Sequence, residues 1–313
     1  MENIHVALTF DDNYLEHSIV LMTSILANKK DNDKIFFHIV DGGLSDFSKE
    51  ILWSMSNCAV AFYNVDKSVF EQYKKSDYYP ISMLYTMILP DVINSVDRLI
   101  YLDSDIVVNS SLGELWQTDL EDNYVAAVED ANGKKYAKRF GMKPESRFFN
   151  TGVMLINCRK WREDNIPHRA AKISMEKTGT TFGFDQTVLN QLFEGNVKFL
   201  DLKWNLQYCP INVWPTYENI KEYKNAISNP NIIHYVGDYK PWKKGLGCFT
   251  PKQENYLRYH KLTCFAFADY EKWQLEDKLN AYKGILALIK RYPLFFLRKQ
   301  FWKNIGYMSA LKK

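Results

Sequence analysis

LIYLDSDIVVN, Leu99 to Asn109, sets two carboxylates between two apolar runs. Leu99 to Leu102 and Ile106 to Val108 have the character of buried strands, and only the small Ser104 separates Asp103 from Asp105. Such a chain leaves the core, presents two acids at a strand end and re-enters it. Burying two uncompensated carboxylates there is costly. A divalent cation offsets that cost, and the cation in turn can hold a ligand phosphate. A surface turn is the competing reading, because Asp-Ser-Asp also suits turns. The rest of the chain decides between them.

Upstream, Ile4 to Thr9 reads as a strand ending at Phe10-Asp11-Asp12-Asn13-Tyr14, and Leu15 to Asn28 has helical periodicity through Ile19, Met22 and Leu26. Lys34 to Val40 is a second strand, Ser45 to Met55 a helix opened by a capping Ser, and Val60 to Val65 a third strand. Ile81 to Leu89 reads as a helix that stops at Pro90. This alternation predicts an α/β fold with a mostly parallel central sheet and ligands at the carboxyl ends of its strands. Asp11, Asn13 and the Asp103/Asp105 pair then share one edge. The glycine fingerprint of a dinucleotide loop is missing after the first strand, so phosphate must be held another way, which fits a metal.

Downstream, Tyr124 to Val128 is a strand leading to Glu129-Asp130. Asn150-Thr151-Gly152 precedes the apolar Val153 to Ile156 and, on its own, reads as a turn. Phe182 to Leu192 reads as a helix with Asp185 and Gln186 at its opening, where Asp185 would serve as an N-cap. Ile232 to Trp242 gathers His234, Gly237 and Lys240 within one short strand and loop.

The 313 residues are 46% hydrophobic, 25% charged and 15% aromatic, a globular profile that allows one large domain with an appendage or two small domains. Five scattered cysteines with no C-x-x-C pair argue for a reducing compartment, against a disulfide framework and against a zinc cluster. The start MENIHVALTFDD lacks the basic and apolar regions of a signal peptide, and no run reads as a membrane span, so the expected location is cytoplasmic. The net charge of +3 is uneven: residues 278–313 carry nine Lys and Arg and no acid, leaving 31 basic against 37 acidic groups in residues 1–277. Tyr270 to Ala287 reads as an amphipathic helix, and beyond Pro293 basic residues alternate with Phe295, Phe296, Phe301, Trp302 and Tyr307. We expect a catalytic domain at 1–265 and a basic, aromatic, helical tail at 266–313. That tail would either pack on the domain or, the reading favoured here, meet anionic lipid. An acidic body with no recognisable motif argues against nucleic acid.

FDDNY at Phe10 to Tyr14, YLDSDIVV at Tyr101 to Val108, FNTGVMLINCRKWR at Phe149 to Arg162, FDQTVLN at Phe184 to Asn190 and HYVGDYKPW at His234 to Trp242 together resemble the family 8 retaining glycosyltransferases. That group includes bacterial lipopolysaccharide galactosyl- and glucosyltransferases and is related to glycogenin. The resemblance implies a GT-A fold, a UDP-sugar donor, Mn²⁺ (Mg²⁺ being the substitute), and transfer of galactose or glucose to a hydroxyl with retention. It implies that Asp103, Asp105 and His234 hold the metal, and that the Gly237 amide and the Lys240 ammonium meet the diphosphate. Thr9, Asp11, Asn13 and Tyr14 match uracil and ribose contacts, and Ser104 lies with the donor-binding set. Asp130, Asn150, Gly152, Asp185 and Gln186 match the sugar side, where Asp130, Asp185 and Gln186 are the expected catalytic residues. A Gln amide is a poor nucleophile, so substitution on the front face, with Gln186 steadying an oxocarbenium-like ion, is the expected route.

One departure is visible: Thr86, in Leu84-Tyr85-Thr86, stands where the family usually has Arg. It leaves a second reading, a sugar-nucleotide-binding protein with little catalysis. A third, a metal-dependent nucleotidyltransferase, would need a phosphate loop near Asp11. The expected acceptor is a glycan or glycolipid in cell-surface polysaccharide or lipopolysaccharide synthesis, met by an enzyme peripheral on the inner face of the cytoplasmic membrane. Its contacts would come from loops such as Asn132 to Arg147 and Leu206 to Asn225.

Overall fold

The computed structural model describes residues 2–66, 85–176, 184–207, 220–237, 240–243 and 252–266, with Lys283 and Leu286. Its first half is built as the alternation predicts. Strands β1 (Glu2–Phe10), β2 (Asp33–Asp41), β3 (Cys58–Tyr63) and β4 (Arg98–Leu102) run parallel to one another, with helix α1 (Leu15–Asn28) between the first two and α2 (Asp46–Trp53) between the second and third. Ser45 caps α2 by accepting from the Ser48 N–H.

The sheet is mixed rather than parallel throughout. Its order is β3-β2-β1-β4-β7-β6-β8, completed by β6 (Val125–Glu129), β7 (Phe149–Asn157) and β8 (Val197–Phe199). β7 is antiparallel to both β4 and β6, whereas β6 and β8 pair in parallel. That reversal matters for the site: it brings the first residues of β7 to the end of β4, with Leu102 opposite Val153.

Period-2 alternation divides each central strand between two cores. In β4, Ile100 and Leu102 face the cluster that contains Ile19, Met22 and Ile25 of α1. Leu99 and Tyr101 face the opposite cluster with Trp161 and Phe193. That second layer contains α3 (Tyr85–Val92), α6 (Cys158–Glu163), α7 (Ile166–Glu176) and α8 (Phe184–Leu192). Between β3 and α8 the chain also forms the short helices α4 (Gly113–Trp116) and α5 (Gly133–Arg139).

Three expectations need correction. The helix expected to stop at Pro90 continues through it to Val92, and the Ile93 N–H still donates to the Leu89 carbonyl at 2.8 Å. Proline removes a single N–H, and later residues can still reach carbonyls before it. Asn150-Thr151-Gly152 is not a turn ahead of a strand but part of β7 itself. Asp185 does not stand before its helix as a cap but lies within the first turn of α8.

A second, three-stranded sheet is built from β5 (Ile106–Val108), β10 (Ile232–His234) and β9 (Leu206–Gln207), with β10 in the middle. β5 and β10 pair antiparallel with Ile106 opposite His234, so a residue some 130 positions away is set beside the DSD turn. Two further helices, α9 (Ile220–Ser228) and α10 (Gln253–His260), follow later in the chain; α10 packs on α1. The expected tail helix Tyr270 to Ala287, the tail beyond Ala266 apart from Lys283 and Leu286, and the start of the helix expected from Ile81 lie outside the described residues. Among the described residues, no helix is long and apolar enough to cross a membrane.

Candidate active site

The DSD turn is the centre of a candidate site, built where β4 ends. The Asp103 N–H donates to the Gly152 carbonyl at 2.9 Å, which ties the turn to β7, and the Tyr235 N–H donates to the Asp105 carbonyl at 3.0 Å, which ties it to the chain leaving β10. Asp103 Oδ1 accepts from the Tyr101 hydroxyl at 2.8 Å. His234 Nε2 faces both acids, 3.5 Å from Asp103 Oδ2 and 3.1 Å from Asp105 Oδ1. One ligand atom from each of Asp103, Asp105 and His234 lies within 4.8 Å of the other two.

Hydrogen bonding behind the imidazole fixes which nitrogen faces the acids. His234 Nδ1 lies 3.1 Å from Asn205 Oδ1, and Asn205 Nδ2 donates to Asn150 Oδ1 at 2.9 Å. The amide is therefore oriented with its oxygen toward His234, so in the neutral ring Nδ1 carries the proton and the Nε2 lone pair points at two carboxylates. Three electron-rich atoms facing one point would repel one another without a cation between them. Asp105 Oδ1 is moreover buried without a hydrogen-bond partner. Two carboxylates and a neutral imidazole suit a divalent ion such as Mn²⁺, and these residues fit it.

Burial, then the neighbouring Asp105, raises the pKa of Asp103. Burial works the same way on Asp105, but the charge of the His234 ring when protonated, with that of Lys240, holds it well below the usual carboxylate range. The Lys240 ammonium is itself buried and donates to Asp105 Oδ2 and, at 2.8 Å, to the Tyr235 carbonyl.

Of the expected sugar-side residues, Asp130, Asn150 and Gln186 form one connected network, and Asp185 has a separate partner. Gln186 Oε1 accepts from Asn150 Nδ2 at 3.1 Å and from the Thr151 N–H at 3.2 Å, while Gln186 Nε2 donates to Asp130 Oδ2 at 3.2 Å. Asn150 Nδ2 also reaches Asp130 Oδ2 at 3.4 Å, and Asp130 Oδ1 accepts from the Asn132 N–H at 2.8 Å. Asp185 Oδ2 accepts from the Thr86 hydroxyl at 3.2 Å. Burial, then the charge of Asp103, pushes the Asp185 pKa up to about 6. Burial raises Asp130 as well.

At the end of β1, Asp11 accepts from the Asn13 N–H and from Asn13 Nδ2, both at 3.0 Å. Thr9 Oγ1 is buried without a partner. Tyr14 is 40% exposed, and its pKa is raised by burial and then by the charges of Asp105, Asp103 and Asp11, against the opposing effect of Lys240. The expected uracil side therefore lies within electrostatic reach of the metal side. Ser104 Oγ accepts from Ser18 Oγ at 2.9 Å, and Gly237 is exposed in the left-handed region at φ 79°.

Sequence reasoning misses Asn205, which orients His234, and Asn190, which exchanges hydrogen bonds with the Phe149 N–H at 2.7 Å and its carbonyl at 2.8 Å and so moors β7 to α8. A single structural Asn, whether after a short turn as at 205 or within a helix as at 190, has no period or spacing of its own to mark it. Asn205→Leu is expected to weaken Mn²⁺ binding by about 10- to 100-fold, the usual effect of losing the group that orients a ligating His. Isothermal titration of Mn²⁺ into parent and variant checks this.

Fold and site together define a GT-A-type transferase. A crystal structure of the galactosyltransferase LgtC with donor and acceptor sugar analogues is similar to this chain with a TM-score of 0.69 at 25% identity, covering 89% of this chain and 100% of that one. The chain is 30% identical over 324 residues to a lipopolysaccharide 1,2-glucosyltransferase of Escherichia coli, spanning 100% of this chain and 83% of that protein. It is 28% identical over 272 residues to general stress protein A of Bacillus subtilis, spanning 84% of this chain and 94% of that protein. The family model for glycosyl transferase family 8 matches residues 5–245, and the chain belongs to that family.

Proposed function

We propose that this chain transfers galactose or glucose from a UDP-hexose to a hydroxyl of a glycan or glycolipid in cell-surface polysaccharide or lipopolysaccharide synthesis, with retention of configuration. The observation that carries this reading is the convergence of Asp103, Asp105 and a His234 whose lone pair is aimed at them. A divalent ion held by these three residues supplies the electrophilic charge that a departing diphosphate needs. Lys240, one contact away on Asp105, adds a second cation at the same place.

Gln186 supports the front-face route. Three donors reach its Oε1, Asn150 Nδ2 and the N–H and hydroxyl of Thr151, so the oxygen is already engaged on an amide that is a poor nucleophile. In the proposed mechanism Gln186 steadies the developing cation, Asp185 accepts hydrogen bonds from donor hydroxyls, and Asp130 holds the Gln186 amide in place. The leaving phosphate takes the acceptor proton. The basic tail at 266–313 is proposed to hold the enzyme against anionic lipid on the face where a lipid-linked acceptor is presented.

The test is release of UDP from a panel of UDP-sugars, with water as default acceptor, in Mn²⁺ and after chelation. One UDP-hexose is expected to be hydrolysed, with the rate lost on chelation and restored by Mn²⁺. Binding of every donor with turnover of none, with or without candidate acceptors, would overturn the transferase reading in favour of a sugar-nucleotide-binding protein.

A further inference from the structure

We infer that His17, together with Tyr256, clamps the loop that carries Gly237 and Lys240, making His17 a positioning residue for the diphosphate end of the donor; this rests on the transferase reading above. The loop leaves β10 at Tyr235 and returns through Pro241 and Trp242. Trp242 is the pivot. Its ring stacks on His17 with centroids 3.7 Å apart and planes 19° apart, and it meets Tyr256 at 5.1 Å. The Tyr14 ring approaches it edge-on at 6.3 Å.

Polar bonds lock the same assembly. His17 Nδ1 and the Tyr256 hydroxyl are 2.7 Å apart in a buried hydrogen bond. Gln253 Nε2 donates to the Pro241 carbonyl at 2.5 Å, and the Tyr235 hydroxyl donates to the Lys252 carbonyl at 2.8 Å. Behind these, His260 Nε2 meets Glu16 Oε1 at 2.9 Å, which bolts α10 to α1. The family match ends at residue 245, so α10 lies beyond the matched region.

The connection to chemistry is short. Lys240 lies two residues before Trp242, and its ammonium reaches Asp105 and the Tyr235 carbonyl. Tyr14, three residues before His17, is the residue expected against the base. A ring sandwich on Trp242 therefore fixes the spacing between the nucleoside end and the phosphate end of one ligand. Burial holds the His17 pKa down to about 4, so a neutral imidazole does the stacking at ordinary pH.

His17→Phe keeps an aromatic ring on Trp242 and removes the hydrogen bond to Tyr256; Tyr256→Phe removes the same bond from the other side. Each is expected to weaken UDP binding in Mn²⁺ by about 3- to 10-fold, the range for one hydrogen bond. The discriminating arm is a double-mutant cycle with Lys240→Met. If the clamp acts through Lys240, His17→Phe changes UDP affinity little once Lys240 is gone. Effects that multiply independently would overturn the inference.

A ligand-free readout accompanies it. The Lys243 N–H donates to the Lys240 carbonyl at 3.1 Å, and its hydrogen exchange is expected to quicken in both variants. Unchanged exchange in a folded variant overturns the clamp. Should the parent bind no UDP, the transferase reading falls and the clamp stands or falls on exchange at Lys243 alone.

Discussion

Gly152→Ala is expected to abolish productive metal binding while leaving the chain folded. A Cβ at residue 152 would stand 2.2 Å from His234 Cε1 and 2.6 Å from Asp103 Oδ2, well inside van der Waals contact with two of the three candidate ligands. Both are tethered. His234 is held from behind by Asn205, and Asp103 is tied by its N–H to the Gly152 carbonyl and by its carboxylate to Tyr101. The Gly152 backbone is anchored in turn, since its N–H donates to Asn150 Oδ1 at 3.0 Å. The added methyl must push the ligands apart. Displacing reactive groups by about 1 Å lowers rates about 100-fold, and Mn²⁺ affinity and UDP release are expected to fall at least that far. Overpacking adds about 1–3 kcal/mol of destabilisation. Mn²⁺ titration beside a thermal melt separates the two effects, and near-parent affinity in the variant would show that the site does not close on Gly152.

Residues with a repeating signal were legible. The apolar spacing of α1 marked Leu15 to Asn28 to the residue, and the runs flanking Asp103 and Asp105 became β4 and β5. The approach of His234 to those acids was not readable from spacing, since it depends on β10 pairing with β5; the family resemblance supplied it. Asn150-Thr151-Gly152 misled because turn-forming residues also occur in a strand where close packing demands them. Here Gly152 lets His234 approach, and Asn150 spends its amide on Asp130, Gln186 and Asn205. The reversal of β7 was equally hidden, because an apolar run does not state its direction. Thr86 stood out as a departure from the family pattern, and the structure gives it a partner, Asp185. The contacts of α1 with Trp242 and with α10 join segments more than 200 residues apart and leave no trace in local pattern.

Asp103→Asn and Asp105→Asn are expected to lose activity alike and to differ in stability. Both remove a charged ligand, so Mn²⁺-dependent UDP release should fall by about 100-fold or more in each, as for a site whose electrostatic stabiliser is withdrawn. Asp103 is the dispensable partner for folding. Its side chain is 38% exposed, and an Asn there can still accept from the Tyr101 hydroxyl and offer its amide to the His234 lone pair. Its pKa is raised by burial and by Asp105, so the charge is a burden in the metal-free fold, and removing it also relieves Asp185. The metal-free melting temperature of Asp103→Asn should therefore equal or exceed the parent's. Asp105 has a different neighbour. Lys240 is 8% exposed and donates to Asp105, and a neutral Asn removes the carboxylate charge that balances that ammonium at contact. Breaking a buried pair by removing one member typically costs about 3–5 kcal/mol. Thermal melts of the metal-free proteins decide the matter: equal losses in the two variants would mean that Lys240 finds another anion and that the Asp105 contact is not what keeps it buried.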